Sequence, residues 1–357
     1  MDSQIVEVLN VTRPVAWLPW AVSYFFLIGL SYGSFMLTLP YFVFGRTQHE
    51  KLGRLALLGA LVCGLTAPVA LLADLHGPGR FLNFYLHFQP HSWMSWGSFF
   101  IPTYLGGLLL YAWLALRGDF AAPRRAISAA ALLTLVGAVL VALYTGMEVM
   151  VVHARPLWNT PFLPLQFAAT AFVGAIGLSL LFNRAIGDRD AQLEIGLNRL
   201  LVLALAAVLT LGGGWLFVSM SGISPSHSTA LSQVAGMPEW QLTAVWAVLA
   251  TILPMALAIW RPASSGLITG LIAVHSAWMM RWTIFIGGQS IPKTGAGLYD
   301  YHLPLGNDGL LGIVGTLGLW IALLLLMVDY LPWAGQVFAS RNKKAANALA
   351  AGAIAQH

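Results

Sequence analysis

Charge is what this sequence has least of. Only 9% of its 357 residues are Asp, Glu, Lys or Arg, while 58% are hydrophobic, and the mean hydropathy is +0.76. Soluble domains carry about a quarter charged residues. A chain this poor in charge cannot face water on all sides, so lipid must be the solvent for most of its surface. Cysteine is nearly absent too. The single Cys63 excludes an intrachain disulfide, and also an iron–sulfur cluster or thiolate zinc site built by this chain alone. Lying in an apolar run, it reads as a small buried hydrophobe. A basic leader is missing: Asp2 and Glu7 precede the first apolar run, which is too long for a signal peptide and should remain as a membrane span. Gly212-Gly213-Gly214 is no phosphate loop, because no Lys-Ser/Thr follows it, and helix packing is the better reading. The net charge of +5 does not point to nucleic acid, since the basic residues sit in short loops between apolar runs. Matched histidines are lacking as well. Of nine, only His275 lies well inside an apolar run, with His76, His91 and His153 near one boundary. No haem and no metal site on this chain are expected.

What the sequence does have is long apolar runs. A helix needs ~20 such residues to cross ~30 Å of hydrocarbon. Nine runs qualify, at about 17–44, 52–73, 95–116, 127–149, 162–182, 198–219, 243–260, 266–286 and 310–328. They predict an all-α, polytopic bundle forming one integral membrane domain over residues 1–357, its many glycines allowing close helix approach. The 18 Lys and Arg divide unevenly between alternate connections. Five (Arg13, Arg80, Arg155, Arg281 and Lys293) fall on one side and 13 on the other. The richer side should be cytoplasmic, which puts the N-terminus outside and the C-terminus inside. The outer connections are long and concentrate His, Trp, Tyr, Pro and acids. Such loops usually carry function, although aromatics also anchor spans at the interface.

The fourth run ends Tyr144-Thr-Gly-Met-Glu148, with Arg155-Pro156-Leu157-Trp158 following. Tyr144 and Glu148 are four apart and share a helix face. A phenol backed by a carboxylate suits a quinone, whose ring oxygen needs a hydrogen-bond donor and whose reduced form needs a proton acceptor. A membrane carboxylate with neither partner nor function is costly. Asp74 and His76 close the second run. Asp74 reads either as half of an ion pair with Arg80 or Arg281 or as a proton-handling group. Arg281 lies about five residues inside the outer end of the eighth run, where pairing with Glu148 or Asp74 is expected. His275 is intramembrane and alone, with no partner evident in the sequence.

These motifs resemble the NrfD/PsrC family of membrane subunits from molybdopterin oxidoreductase complexes. The matching stretches include Trp17-Leu-Pro-Trp-Ala-Val-Ser-Tyr24, Ala73-Asp74-Leu with Arg80-Phe81, Ser95-Trp96-Gly97, and Tyr144-Thr-Gly146 with Arg155-Pro156-Leu-Trp158. Further stretches, Met280-Arg-Trp-Thr283, Asp308-Gly309 and Gly318 to Leu323, are most similar to the tetrathionate reductase branch. The resemblance implies a haem-free subunit of a bacterial or archaeal inner membrane. It would bind menaquinone or ubiquinone and exchange electrons with a four-cluster iron–sulfur subunit on the extracytoplasmic side. That subunit in turn serves a molybdopterin catalytic subunit. The family's quinone-site tyrosine matches Tyr144, and a first-helix histidine of that site falls at Tyr24. A family asparagine falls at Ala21, a departure, and Gly287-Gly-Gln289 looks more like other members than like the tetrathionate branch. The expected site therefore comprises Tyr144, Glu148, Asp74 and His76 for chemistry, with Tyr24, Tyr144, Arg155 and Arg281 for binding. The complex could instead serve another sulfur compound, arsenate or formate. Of other classes, a secondary transporter would show paired broken helices and a midplane site, and a purely structural anchor would leave Glu148 and Asp74 without a role.

Overall fold

No water reaches the centre of a bilayer, so each segment there must pair its own backbone N–H and C=O groups. The apolar runs accordingly fold as helices. The computed structural model describes residues 17–75, 77–117, 123–291 and 301–330, and contains no strand among them. The long helices are α1 (Pro19–Phe42), α2 (Glu50–Asp74), α3 (Trp93–Leu116), α4 (Arg124–Met150), α5 (Phe162–Ala185) and α6 (Ala191–Ser221). A short α7 (Pro225–Ala235) precedes α8 (Pro238–Trp260), α9 (Gly266–Trp282) and α10 (Leu310–Tyr330). Eight helices, all but α7 and α9, are long and apolar enough to cross a membrane. The remaining expected run, 266–286, is α9 together with a widened π turn, Thr283–Gly287, and a last helical turn, Gly288–Ser290.

Helix α1 is the axis of the bundle, packed on α2, α4, α5, α9 and α10. The apolar stretch of α1 is 83% buried, while that of α6 is 11% buried. That contrast separates core from lipid-facing shell. Leu203, Phe217 and Met220 of α6 lie on the outside, where apolar side chains suit hydrocarbon. Small residues let the core helices meet, as expected from the glycine content. A Cβ added at Gly177 of α5 would stand 2.8 Å from the Gly270 carbonyl of α9, closer than real contacts allow. The Gly212–Gly214 run does less than expected: only a Cβ at Gly214 would crowd a neighbour, Phe162 at 2.9 Å.

Helix α6 starts seven residues before the run predicted from residue 198. Asp190 caps it, its side chain accepting from the Gln192 and Leu193 amides. Glu194, fully buried one turn in, is satisfied by Arg184 and Arg189 at 2.8 Å each and by the Gly266 amide at 2.6 Å. Glu194 thus forms a three-way clasp joining α5, α6 and the start of α9.

Candidate functional site

Buried hydroxyls of α1 and α3 pair at a constant offset. Ser31 Oγ lies 2.7 Å from Tyr104 Oη, and Thr38 Oγ1 lies 2.8 Å from Tyr111 Oη. The preceding heptad step on α1 is Tyr24, and its counterpart on α3 is Gly97. There the pattern breaks. The ring of Tyr144, from α4, lies so close over Gly97 that a Cβ would strike it. Tyr24 and Tyr144 are thus brought to one level by the pitch of three helices.

At that level a cavity of about 210 Å³ opens where the N-terminal ends of α1 and α3 meet the C-terminal ends of α2 and α4. Its polar lining includes Tyr24, Asp74, Tyr144 and Glu148, and apolar side chains such as Trp17, Phe25 and Ile101 form much of the rest. The Tyr144 hydroxyl interacts with the Glu148 carboxylate, which also lies within electrostatic range of Asp74 and Tyr24. Tyr24 Oη and Glu148 Oε2 are buried and have no hydrogen-bond partner among the described residues. Buried polar groups are paired in most proteins because leaving them bare costs ~1–3 kcal/mol each. Two such groups on one apolar cavity are what a ligand with ring oxygens would satisfy. Drug-sized sites span about 300–1,000 Å³. A cavity of this size fits a ring system whose tail stays outside in lipid.

Arg155 does not line this cavity. It donates to the carbonyls of Gly288 (2.7 Å) and Ile291 (3.1 Å), and Trp158 Nε1 donates to the Ile284 carbonyl at 2.8 Å. A π turn misaligns the helical ladder, and the Arg-Pro-Leu-Trp motif supplies external donors at and just beyond it. The effect reaches the cavity through Gln289, whose side chain accepts from the Trp17 amide at 3.1 Å and donates to the Trp17 carbonyl at 3.0 Å. Trp17 in turn stacks on Phe285, centroids 4.9 Å apart. The Gln289 clamp was hidden from sequence reasoning because its partner lies 272 residues away.

Arg281, expected to pair with Asp74 or Glu148, is placed otherwise. It is not on the cavity wall and makes no ion pair among the described residues. It donates instead to Thr170 Oγ1 (2.6 Å) and to the carbonyls of Phe167 (2.8 Å) and Ala277 (3.1 Å). Helix α5 stands beside α9 and offers these oxygens first. His76 lies outside the described residues. His275 is on the exposed side of α9 with its ring against Trp246, centroids 5.3 Å apart. His227, not singled out from the sequence, is buried between Thr160 and Ser224, 2.7 Å from each, and ties α7 to the α4–α5 connection. Burial lowers its affinity for a proton.

The sequence profile of the family "Polysulphide reductase, NrfD" matches residues 7–293. The chain is 36% identical over 332 residues to the tetrathionate reductase C-subunit of Salmonella typhimurium, covering 92% of this chain and 95% of that one. It is 34% identical over 119 residues to the selenate reductase C-subunit of Mesobacillus selenatarsenatis, covering 33% and 28%. Against the Hdr-like menaquinol oxidoreductase integral membrane subunit of Archaeoglobus fulgidus it is 27% identical over 223 residues, covering 60% and 54%. With a profile match over most of its length and such a relative along nearly all of it, the chain belongs to the polysulphide reductase NrfD family, as an integral, multi-pass membrane subunit of the oxidoreductase-complex type.

Proposed function

We propose that this chain binds quinol at the cavity between α1, α2, α3 and α4 and passes electrons between the quinone pool and an iron–sulfur subunit, in a complex like tetrathionate reductase. The observation that carries the reading is the pair of unpartnered buried oxygens, Tyr24 Oη and Glu148 Oε2, on an otherwise largely apolar cavity. Tyr144 donates a hydrogen bond to one ring oxygen and Tyr24 to another. Glu148, one helical turn from Tyr144, takes the proton leaving the ring, with Asp74 beside it as the next acceptor and His76 beyond it in sequence. Arg155 acts at a distance, holding the π turn whose Gln289 fixes Trp17. Oxidation of a quinol releases two protons and two electrons. The protons stay with these carboxylates, and the electrons leave to a cluster on the partner, since no group of three or more His, Cys, Asp or Glu suited to a metal occurs among the described residues. The menaquinol named for the Archaeoglobus relative supports a quinol as the ligand. The uneven lysine and arginine distribution supports placing the cavity on the extracytoplasmic side, with the iron–sulfur and molybdopterin subunits docked there.

The test is a pair of substitutions in the assembled complex. Removing one neutral hydrogen bond costs ~0.5–1.5 kcal/mol, so Tyr144→Phe weakens quinol binding by about tenfold or less. Its effect on quinol-dependent turnover is larger, because proton transfer is lost with the bond. Glu148→Gln keeps size and polarity, removes the acceptor, slows quinol turnover and changes its pH profile. Dye-dependent turnover by the catalytic partner stays at the wild-type level in both variants. Wild-type quinol turnover in both would place the site elsewhere; loss of assembly in both would make the pair structural.

A further inference from the structure

The buried polar groups do not stop at the cavity. Below Tyr24, the interior face of α1 carries Ser31, Tyr32, Ser34 and Thr38, all buried, and α3 answers with Tyr104 and Tyr111. From Tyr24 to Thr38 is about 21 Å of helix, against about 30 Å of hydrocarbon. A row of hydroxyls through the interior is a hazard in a membrane protein that handles protons at one face. Hydroxyls, and any water between them, relay protons.

Arg281 stands beside the upper part of that row. It is 1% exposed. Its guanidinium interacts with the Tyr32 hydroxyl, and Tyr32 interacts in turn with Thr145 of α4. A Cβ at Gly29 would lie 3.1 Å from Arg281 Nη2, which fixes its level one to two turns inside Tyr24 and close to the Ser31–Tyr104 pair. It donates to the Thr170 hydroxyl and two backbone carbonyls, and its Nε has no partner among the described residues. No carboxylate neutralises it among the described residues. A guanidinium does not give up its charge, and an uncompensated cation inside a bundle is expensive. Packing alone would be served better by Met or Leu.

We propose that Arg281 is an electrostatic plug, sealing the α1–α3 hydroxyl row against proton leakage between the cavity and the opposite membrane face. A fixed positive charge raises the energy of any second positive charge that approaches through a low-dielectric interior, as fixed charges in pores exclude protons. The proposal rests on the hydroxyl row and not on what the cavity binds, so it is tested without quinone.

The full chain is reconstituted in vesicles enclosing a pH-sensitive dye, with the membrane potential clamped, and proton entry after an external acid pulse is followed. The wild-type chain leaves the vesicles proton-tight. Arg281→Met keeps a flexible unbranched stem, removes the charge and raises proton entry on the order of tenfold, while a co-trapped larger dye is retained. Adding Tyr32→Phe to Arg281→Met breaks the row beside the lost plug and restores tightness. Arg281→Gln, which keeps an amide donor for Thr170, takes the place of Arg281→Met if the latter does not purify as a folded monodisperse protein. A wild-type chain that conducts protons overturns the proposal outright. So does a folded neutral variant as tight as wild type, a leak that also releases the larger dye, or a leak that Tyr32→Phe leaves unchanged.

Discussion

Gly97 makes room for the ring of Tyr144 at the step where the next α1–α3 pair would otherwise form. The ring sits against a backbone with no side chain, and that contact sets where its hydroxyl points. Gly97→Ala inserts a methyl into the space the ring occupies. Overpacking of this kind costs ~1–3 kcal/mol, and much of it should be relieved by turning Tyr144, whose ring also borders the cavity. Gly97→Ala is therefore expected to reproduce the quinol-turnover defect of Tyr144→Phe while assembly and dye-dependent turnover persist. A melting temperature lowered by several degrees with unchanged quinol kinetics would show that the strain is taken up elsewhere. At this scale the placement of side chains was legible in part. The four-residue spacing of Tyr144 and Glu148 put both on one helix face, and the structure sets both on one cavity with Tyr24 and Asp74. The spacing gave no sign that Arg281 would turn toward α5. The choice between two cavity carboxylates and three α5–α9 oxygens depends on which helix stands beside α9, and local pattern does not carry that.

Helices were the most legible level, because apolar length is a local property. Helices α2, α3 and α4 begin and end within three residues of the runs expected for them. The start of α6 lies outside the expected run because Glu194 and the arginines before it interrupt the apolar pattern, although the buried Glu194 is neutralised by the partly exposed Arg184 and Arg189. Helix α7 lay hidden in a polar connection, and the π turn after α9 leaves no compositional trace. That turn is where an element-scale prediction belongs. Its carbonyl at Ile284 accepts from Trp158, and the following carbonyls at Gly288 and Ile291 accept from Arg155. Trp158→Phe keeps the ring and removes the donor, leaving a buried carbonyl bare at a cost of ~1–3 kcal/mol. Amides of residues 284–291 should then exchange with deuterium measurably faster, with the change extending through the Gln289 clamp to Trp17 and not to the Glu194 clasp at the other end of the bundle. Uniform loss of protection across the chain would indicate a general packing role for Trp158. Unchanged protection at 284–291 would mean that the π turn holds itself.

At the scale of the molecule, the cavity lies at one end of α1 to α4, and two connections, the one before α3 and the one before α10, are oddly apolar. Phe81 and Tyr85 line the cavity and are also exposed, while Leu82 and Leu86 beside them, and Leu303 and Leu305 in the connection before α10, stand out from the surface. These residues lie outside the long helices, so hydrocarbon does not account for them. Interface cores favour aromatic and apolar residues and exclude charge, and exposed apolar patches of this kind mark docking surfaces. A partner seated there would bring its nearest redox centre next to the proposed quinol site. Leu86, 73% exposed, and Leu305, 80% exposed, are the sharpest probes, because neither supports the bundle from within. Leu86→Glu and Leu305→Glu each place a carboxylate where an apolar contact is expected. Each should release the proposed iron–sulfur partner during purification, while the membrane chain itself inserts and melts as the wild type does. Cysteine introduced at either position should react with a membrane-impermeant maleimide added outside intact cells, and the assembled partner should protect it. If both charge variants co-purify with the full complex, the apolar rim is not the docking surface; if the cysteine variants label only from the cytoplasmic side, the orientation inferred from the basic residues is reversed.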